Sequence, residues 1–583
     1  MIIQTETGVH FDLPTELEME LTRYNVLLCD IGEQTAPITL PGSPHNLKLI
    51  GYSNRIDSLL KPLTDLTVLV SDGLFVRWCN MGIHTANEEE GISCTLYFES
   101  GDFYSVVGNT RLIWLVWPII KHPNFDTVSL EIRKTYLIDL LKAEYNTPSV
   151  DSKFGIAAVG TTQSFTWRVN KKDSTGTISS VDITEAFILN DFEKYQYDYQ
   201  VPVFTLELVN RFAGEFQQVQ IVDSATVNIA RGYGMTPFLK LSYVLQFIFE
   251  RFGYGFDKQS VTACISQFDK ICMLNNVADA IYSGILNFKQ LLPDVTIKEF
   301  VSKVEEILCG KFVFNSTNKT VFFKSYKQAI TSNADIDLTE FICTKPKMNE
   351  SDFKKIRIVD ENATPIEDTS ESQVETIDLS FKFVKLNTIS ENYNSSYFST
   401  IMLPNYRYHF SLTRTLVYIE EITHLNSSIV INSEKQSDKN DNSVQIYFAY
   451  INNSLVKTFN YQFQKYIFPA PPPPSSNVTV ITMVVKYKTS CRIFEGSGTN
   501  DLDYIKLLYN EYIEFNENSN IPITVEMNIP FEVLDKLDLQ IPKTIQGQKV
   551  LIEKIVEKRG STSSDSKTQQ ITFRTLRSFK SRT

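Results

Sequence analysis

The sequence lacks an apolar run long enough to cross a bilayer. Its most apolar short stretch, Leu112 to Ile120 (LIWLVWPII), falls far below the roughly 18 residues that a membrane helix needs and is expected to form a buried strand. Cysteine is sparse: Cys29, Cys79, Cys94, Cys264, Cys272, Cys309, Cys343 and Cys491 are scattered, with no CxxC pair. That distribution argues against a cysteine-built metal site and against a disulfide framework. Reduced core thiols are expected, notably at Cys94 and Cys309 in apolar patterns, with assembly in a reducing cytoplasm. The N-terminal MIIQTETGVHFDLP has no basic start followed by an apolar stretch, so export through a secretory signal is not expected. Asn-x-Ser/Thr triplets at Asn315 and Asn394 are chance products of a chain rich in Asn and Ser.

Signs of chemistry are also few. The histidines, His10, His45, His84, His122, His409 and His424, are isolated, and there is no HExxH helix, GxSxG elbow or GxxxxGK[ST] loop. Asp501 and Asp503 follow Gly496-Ser497-Gly498 like part of a calcium loop, but the third ligand and closing Glu are missing, so a solvated turn is the better reading. No catalytic, cofactor-binding or metal-ligating residue is therefore assigned, no cofactor is expected, and the chain is read as a non-enzyme. A glycosidase with carboxylates drawn from distant strands stays open as a minor alternative. The formal net charge of −12 speaks against specific nucleic-acid binding, although acidic walls would let DNA slide past.

What is present is the composition of a folded, sheet-forming chain. Hydrophobic residues make up 43%, charged residues 21% and aromatics 12%, the last dominated by strand-favouring Phe and Tyr. Its 583 residues allow about four domains at roughly 150 residues each. The fold class expected is β-rich α+β and multi-domain.

Leu17, Met19 and Leu21 alternate with Glu16, Glu18 and Glu20, the period of a strand with one buried and one solvated face. Ile92, Cys94, Leu96 and Phe98 repeat the pattern, and Gly101-Asp102 then reads as a turn. Val128 to Tyr145 suits an amphipathic helix through Leu130, Ile132, Leu137, Leu140 and Leu141. Together these define an N-terminal β-rich, barrel-like domain over 1–150, followed by a β domain over 151–235. An α/β helix-hairpin domain over 236–330 carries the sharpest local signals. Thr236 can cap a helix with Pro237 in its first turn, a stripe Leu241, Val244, Leu245, Ile248, Phe249, Phe252, and Gly253 as its stop. Thr296 and Glu299 make a capping-box pattern for a second helix ending at Gly310, and Lys311 to Phe314 with Thr320 to Lys324 form a hairpin.

A β-rich insertion or outer domain is expected over 331–495, with runs at Val374 to Val384, Leu416 to Ile422 and Val478 to Lys488. It contains PAPPPP at Pro469 to Pro474, a stiff polyproline spacer. A C-terminal helix and barrel-closing strands occupy 496–583, with the helix near Leu502 to Tyr512 and strands at Ile523 to Ile529, Val550 to Val556 and Ile571 to Leu576. Gly560 to Gln570 reads as a long hairpin tip, and Arg574, Arg577, Lys580 and Arg582 as a solvated strand face and frayed end.

Several segments together carry a resemblance. Ile31 to Asp57 (IGEQTAPITLPGSPHNLKLIGYSNRID), Phe238 to Phe256, Leu274 to Phe323 and Ile541 to Leu576, with Gly547 and Gln548 at a turn, resemble tail-tip baseplate hub proteins of Bacteroidetes phages and prophages. The resemblance implies tail-tube-like β-barrels with inserted helix-plus-hairpin units. It also implies a virion protein assembled in the host cytoplasm as a homo-oligomer, commonly a trimer, with a central channel. Its partners would be the tail tube or distal tail protein, the spike and the tape measure, with genome DNA passing only in transit. The alternative is a receptor- or glycan-binding tail or surface protein, suggested by Tyr393, Tyr397, Tyr406 and Tyr408.

Overall fold

The computed structural model describes residues 1–349 and 504–576 apart from short segments within these ranges, together with strands between 355 and 493. From 157 to 231, Asn190 excepted, and from 355 to 493 the description is of backbone alone. The chain is β-rich with helices mixed in, and both of its ends contribute to one sheet of twelve strands. In spatial order this sheet runs Ile2–Thr5, Asp65–Asp72, Phe75–Asn87, Gly91–Phe98, Glu33–Thr35, Met19–Tyr24, Gln548–Arg559, Gln569–Thr575, Pro522–Met527, Lys347–Met348. Two more strands lie off this path: Ile38–Leu40 pairs with Gly91–Phe98, and Lys543–Ile545 with Gln548–Arg559. Among the described residues the order does not return on itself, so the sheet is open and no closed barrel is formed.

Alternation explains which face of each strand is buried. Met19 and Leu21 are fully buried while Glu20 is exposed, and Ile92, Cys94, Leu96 and Phe98 all point into the same core. Strand Met19–Tyr24 lies antiparallel to Gln548–Arg559, with Met19 opposite Arg559 and Tyr24 opposite Lys554. Buried polar groups seal this seam. Asn25 donates to the carbonyls of Leu539 at 2.6 Å and Ile552 at 2.8 Å, and Arg23 to those of Leu534 at 2.7 Å and Leu537 at 3.1 Å. The hairpin joining Lys543–Ile545 to Gln548–Arg559 turns on Gln546 and Gly547, both at positive φ (49° and 72°), one residue earlier than the expected Gly547-Gln548 turn.

A second core lies in the helix-hairpin region. Helices Leu130–Asn146, Leu241–Arg251 and Ile297–Leu308 pack Leu137, Leu141, Leu245, Phe249, Phe300 and Val304 together with Phe312 and Phe314 of the hairpin Gly310–Asn315 and Thr320–Ser325. The capping box is complete: the Thr296 side chain accepts from the Glu299 amide while the Glu299 side chain accepts from the Thr296 amide. Helix Ser100–Val107, which leaves the large sheet, inserts Phe103 into this core, stacked on Phe314 at 4.1 Å.

Several sequence expectations need correction. Gly101-Asp102 opens that helix instead of making a turn. Thr236 is no helix cap: its amide is taken by Asn190 and its hydroxyl donates to Asn275, so residues Phe238–Lys240 extend as a strand before the helix begins at Leu241. Left-handed Cys309, φ 50°, ends the helix that starts at Ile297, and Gly310 begins a strand, where an added Cβ would lie 2.4 Å from the Phe323 ring. The LIWLVWPII stretch is not a buried strand. Leu112–Trp114 form a 3-10 turn, the chain joins a short strand at Ile119–Lys121, and Trp114 and Val116 are 64% and 74% exposed. In helix Leu130–Asn146 the first apolar positions, Leu130 and Ile132, also face outward.

The other expected strands are present as Val159–Lys172 to Ala225–Asn228, Val374–Asp378, Lys382–Val384, Thr415–Tyr418 and Val478–Ile493, the last paired along its length with Tyr447–Gln464. The C-terminal helix spans Tyr504–Glu514. The PAPPPP segment, Tyr393, Tyr397, Tyr406, Tyr408, His424, Asp501, Asp503, the hairpin tip 561–567 and the basic residues Arg577, Lys580 and Arg582 lie outside the described residues.

Candidate functional site

On the large sheet the face opposite the core carries polar and aromatic side chains. Because strand residues alternate, Cys79 and Met81 point to the core while Asn80 and Gly82 point away, and Tyr97 alternates with Leu96 and Phe98 in the same way. The register sets Gln34 opposite Tyr97, Tyr97 opposite Asn80, and Gly82 opposite Asp65. Four neighbouring strands therefore form one floor. Helix Ser100–Val107 walls one side with Tyr104, Ser105 and Val106, tied down by a bond of 2.9 Å from the Asn80 amide to the Ser105 hydroxyl. The result is an open-sided cleft of about 460 Å³.

Two glycines shape it. A Cβ on Gly82 would lie 2.9 Å from the Tyr97 ring, and one on Gly101 would lie 2.9 Å from the Glu33 carbonyl. The first absence lets the ring lie against the neighbouring strand; the second lets the helix approach the sheet. Among the described residues lining the cleft none is cationic, and Asp65 brings a carboxylate.

Beside the cleft lies a buried cluster of three arginines, Arg23, Arg77 and Arg559, and four carboxylates, Glu33, Glu99, Asp535 and Glu557. Arg77 donates to both Glu33 oxygens at 3.1 Å, and its Nη1 lies 3.7 Å from Glu99. Arg559 reaches Glu557 at 3.1 Å and also pairs with Asp535, its guanidinium stacked over Phe75 at 4.2 Å. Carboxylates outnumber cations here, and burial, followed by the neighbouring Glu33 charge, pushes Glu99 up to about 7. Burial raises Glu557 as well. Glu99 also accepts from the Ser316 amide at 3.0 Å, Ser316 donates to the Trp78 carbonyl at 2.9 Å, and Lys319 pairs with Asp102 at 2.7 Å. The tip of the 310–325 hairpin is thus held to the sheet at Trp78 and to the start of helix Ser100–Val107 at Glu99 and Asp102. The arrangement can fix a junction between parts of the chain and can hold a small polar ligand above it.

The residues singled out from sequence do not converge on this place. His45 meets the His10 carbonyl at 2.8 Å, His84 lies 2.8 Å from the Thr95 hydroxyl, and His122 accepts from the Asn124 amide. The seven cysteines whose side chains are described form no disulfide with one another, and burial pushes Cys94 and Cys272 up to about 12, which keeps them protonated. Among the described residues no grouping of three or more His, Cys, Asp or Glu could hold a metal, and no helix is long and apolar enough to cross a membrane. Sequence reasoning missed the cleft because its residues come from four strands and a helix; the polar alternation of Asn80 and Gly82 within an apolar strand was its one local sign. No protein-family model and no curated protein matches the chain.

Proposed function

We propose that this chain is a structural component of a phage tail tip, a baseplate hub that joins the tail tube to the tip or spike as one subunit of a ring around a channel. The observation that carries the reading is the open twelve-stranded sheet built from both ends of the chain. An open sheet of this size leaves strands at its edges, and a ring in which neighbouring subunits pair those edges would satisfy them and close the walls into the tube-like barrels of a hub. At one edge the returning chain adds a short segment to Ile2–Thr5, through Thr5 to Val9 and Phe11 to Ile3 bonds of 2.9 and 2.8 Å, and a neighbour would join the sheet there. At the other end of the path, among the described residues, lies Lys347–Met348, where Met348 is 67% exposed and would meet the next subunit.

Function in such a hub is geometric. The acidic balance of −12 suits a channel wall that does not grip passing DNA. Trimeric symmetry, neighbouring tube, spike and tape-measure proteins, and residence in the virion belong to the same proposal and rest on the resemblance of the segments quoted above. Two-dimensional averaging of electron micrographs of the purified full chain tests it. Rings with a central channel are expected; a strict monomer at every concentration and salt condition overturns the reading.

A further inference from the structure

Leu112 to Ile120 contains no charged residue, and Arg111 and Lys121 close it at either end. Such a run is ordinarily buried, yet Trp114, Val116 and Ile119 are 64%, 74% and 49% exposed. We infer that the face formed by these three side chains packs against a second copy of this chain and is one of the contacts that hold the ring together. Its place in a ring rests on the hub reading; the contact rests on the segment itself. The segment is held rigidly. The Leu112 amide donates to the Val295 carbonyl at 2.8 Å, the Trp117 indole donates to the Leu112 carbonyl at 2.8 Å, and Trp117 stacks on Phe247 at 4.2 Å. Leu112, Ile113 and Trp117 fill the core side, so Trp114 and Val116 are displayed outward on a firm support and lose little freedom when a partner covers them. Ile119–Lys121 pairs with Ile285–Asn287 in a sheet that has two strands among the described residues, which leaves an edge for backbone bonds to a third.

Size and charge point to another copy as the occupant. The three side chains present on the order of 350 Å² of apolar surface, to which half-buried Ile285 on the paired strand adds. A stable interface of about 800 Å² per partner needs roughly 450 Å² of apolar area, so this face supplies most of one. An apolar centre with charge only at its rim is also the pattern of permanent homo-oligomers, whose interface cores are depleted of charged residues. Arg111 pairs with Asp294 at 2.9 Å, so the rim lacks the cluster of cations that an anionic lipid surface asks for. A free surface of this kind invites aggregation. A sister copy, made at the same time and place, can cover it from the start.

The test uses the purified full chain. A photoreactive benzophenone side chain in place of Val116, irradiated in a mixture of light and isotopically heavy chains, should give covalent dimers of mixed mass, which only a link between copies can produce. In analytical ultracentrifugation Trp114→Ala should weaken association at least about tenfold and Val116→Asp about a hundredfold, with circular dichroism unchanged because both side chains stand in water. Val106→Asp, at an exposed apolar position outside the segment, should associate as the wild type does. Rings that form equally well from Val116→Asp, cross-links confined within single chains, or an equal loss in Val106→Asp would overturn this inference and leave the hub standing. Assemblies without a channel that still dissociate on Val116→Asp sink the hub and keep the contact. A chain that stays monomeric overturns both, and binding to phosphatidylglycerol vesicles that Val116→Asp abolishes would assign the face to lipid instead.

Discussion

In the helix-hairpin region, groups that stabilise one another lie close along the chain. Thr296 caps a helix that ends at Leu308, and Gly310–Asn315 folds straight back onto Thr320–Ser325. In the large sheet Met19 sits opposite Arg559, and the Arg23 guanidinium is held by carbonyls of Leu534 and Leu537. The two regions bury similar apolar side chains by different routes. A helix with its own cap and stripe needs little from elsewhere, whereas a sheet joined across most of the chain depends on polar and ionic groups at the seam to select one register. The charge cluster lies at that seam, and the hairpin tip at Ser316 and Lys319 ties the local region to the distant one.

The comparison breaks most sharply at Arg559. Arg559→Ala leaves Glu557, 1% exposed, without its guanidinium partner and removes the nearer of the two cations over Phe75; a loss of about 3–5 kcal/mol is expected. Hydrogen exchange should localise that loss to the sheet and leave helix Ile297–Leu308 protected. Equal deprotection of both regions would mean that they unfold as one unit.

A smaller effect sharpens the role of the junction. Glu99 is pushed up to about 7 from an ordinary value of 4.5, so its protonated form adds stability that is full below the ordinary value and is lost as pH rises through about 7. The wild type should therefore melt lower at about pH 8 than at about pH 5. Glu99→Gln, which cannot ionise but can still accept from Ser316, should flatten that slope by on the order of 1–2 kcal/mol. An unchanged slope in denaturation curves would place the titration elsewhere. The smallest effect belongs to the local region: Thr296→Ala removes one half of the capping box and should cost about 1 kcal/mol. That loss should appear as faster exchange in the first turn of its helix, with the sheet untouched.

Legibility in the sequence follows the same divide. The stripe Leu241 to Phe249, the Thr296 box and the 310–325 hairpin could be read because their determinants lie within a few residues of each other. Single strands such as Gly91–Phe98 were legible through alternation, but their neighbours were not, since period two says which face is buried and nothing about which strand lies alongside. The errors have the same origin. LIWLVWPII is apolar without periodicity, so its composition could not reveal that Trp114 and Val116 face outward. Thr236 looks like a cap until Asn190 and Asn275, far away in sequence, claim its amide and hydroxyl. The cleft was illegible for the strongest reason: it exists only once register brings Gln34, Asp65, Asn80 and Tyr97 onto one face.

The seam between Met19–Tyr24 and Gln548–Arg559 also sets a timetable. At about 5–20 residues per second on a ribosome, the first of these strands waits roughly half a minute to two minutes for the second to be made. Through that interval its hydrogen-bonding edge is open to any other nascent chain. Glu20 in this strand and Glu16 and Glu18 just before it set a like-charged guard against its own copies on neighbouring ribosomes, while leaving it receptive to Lys558 when Gln548–Arg559 emerges.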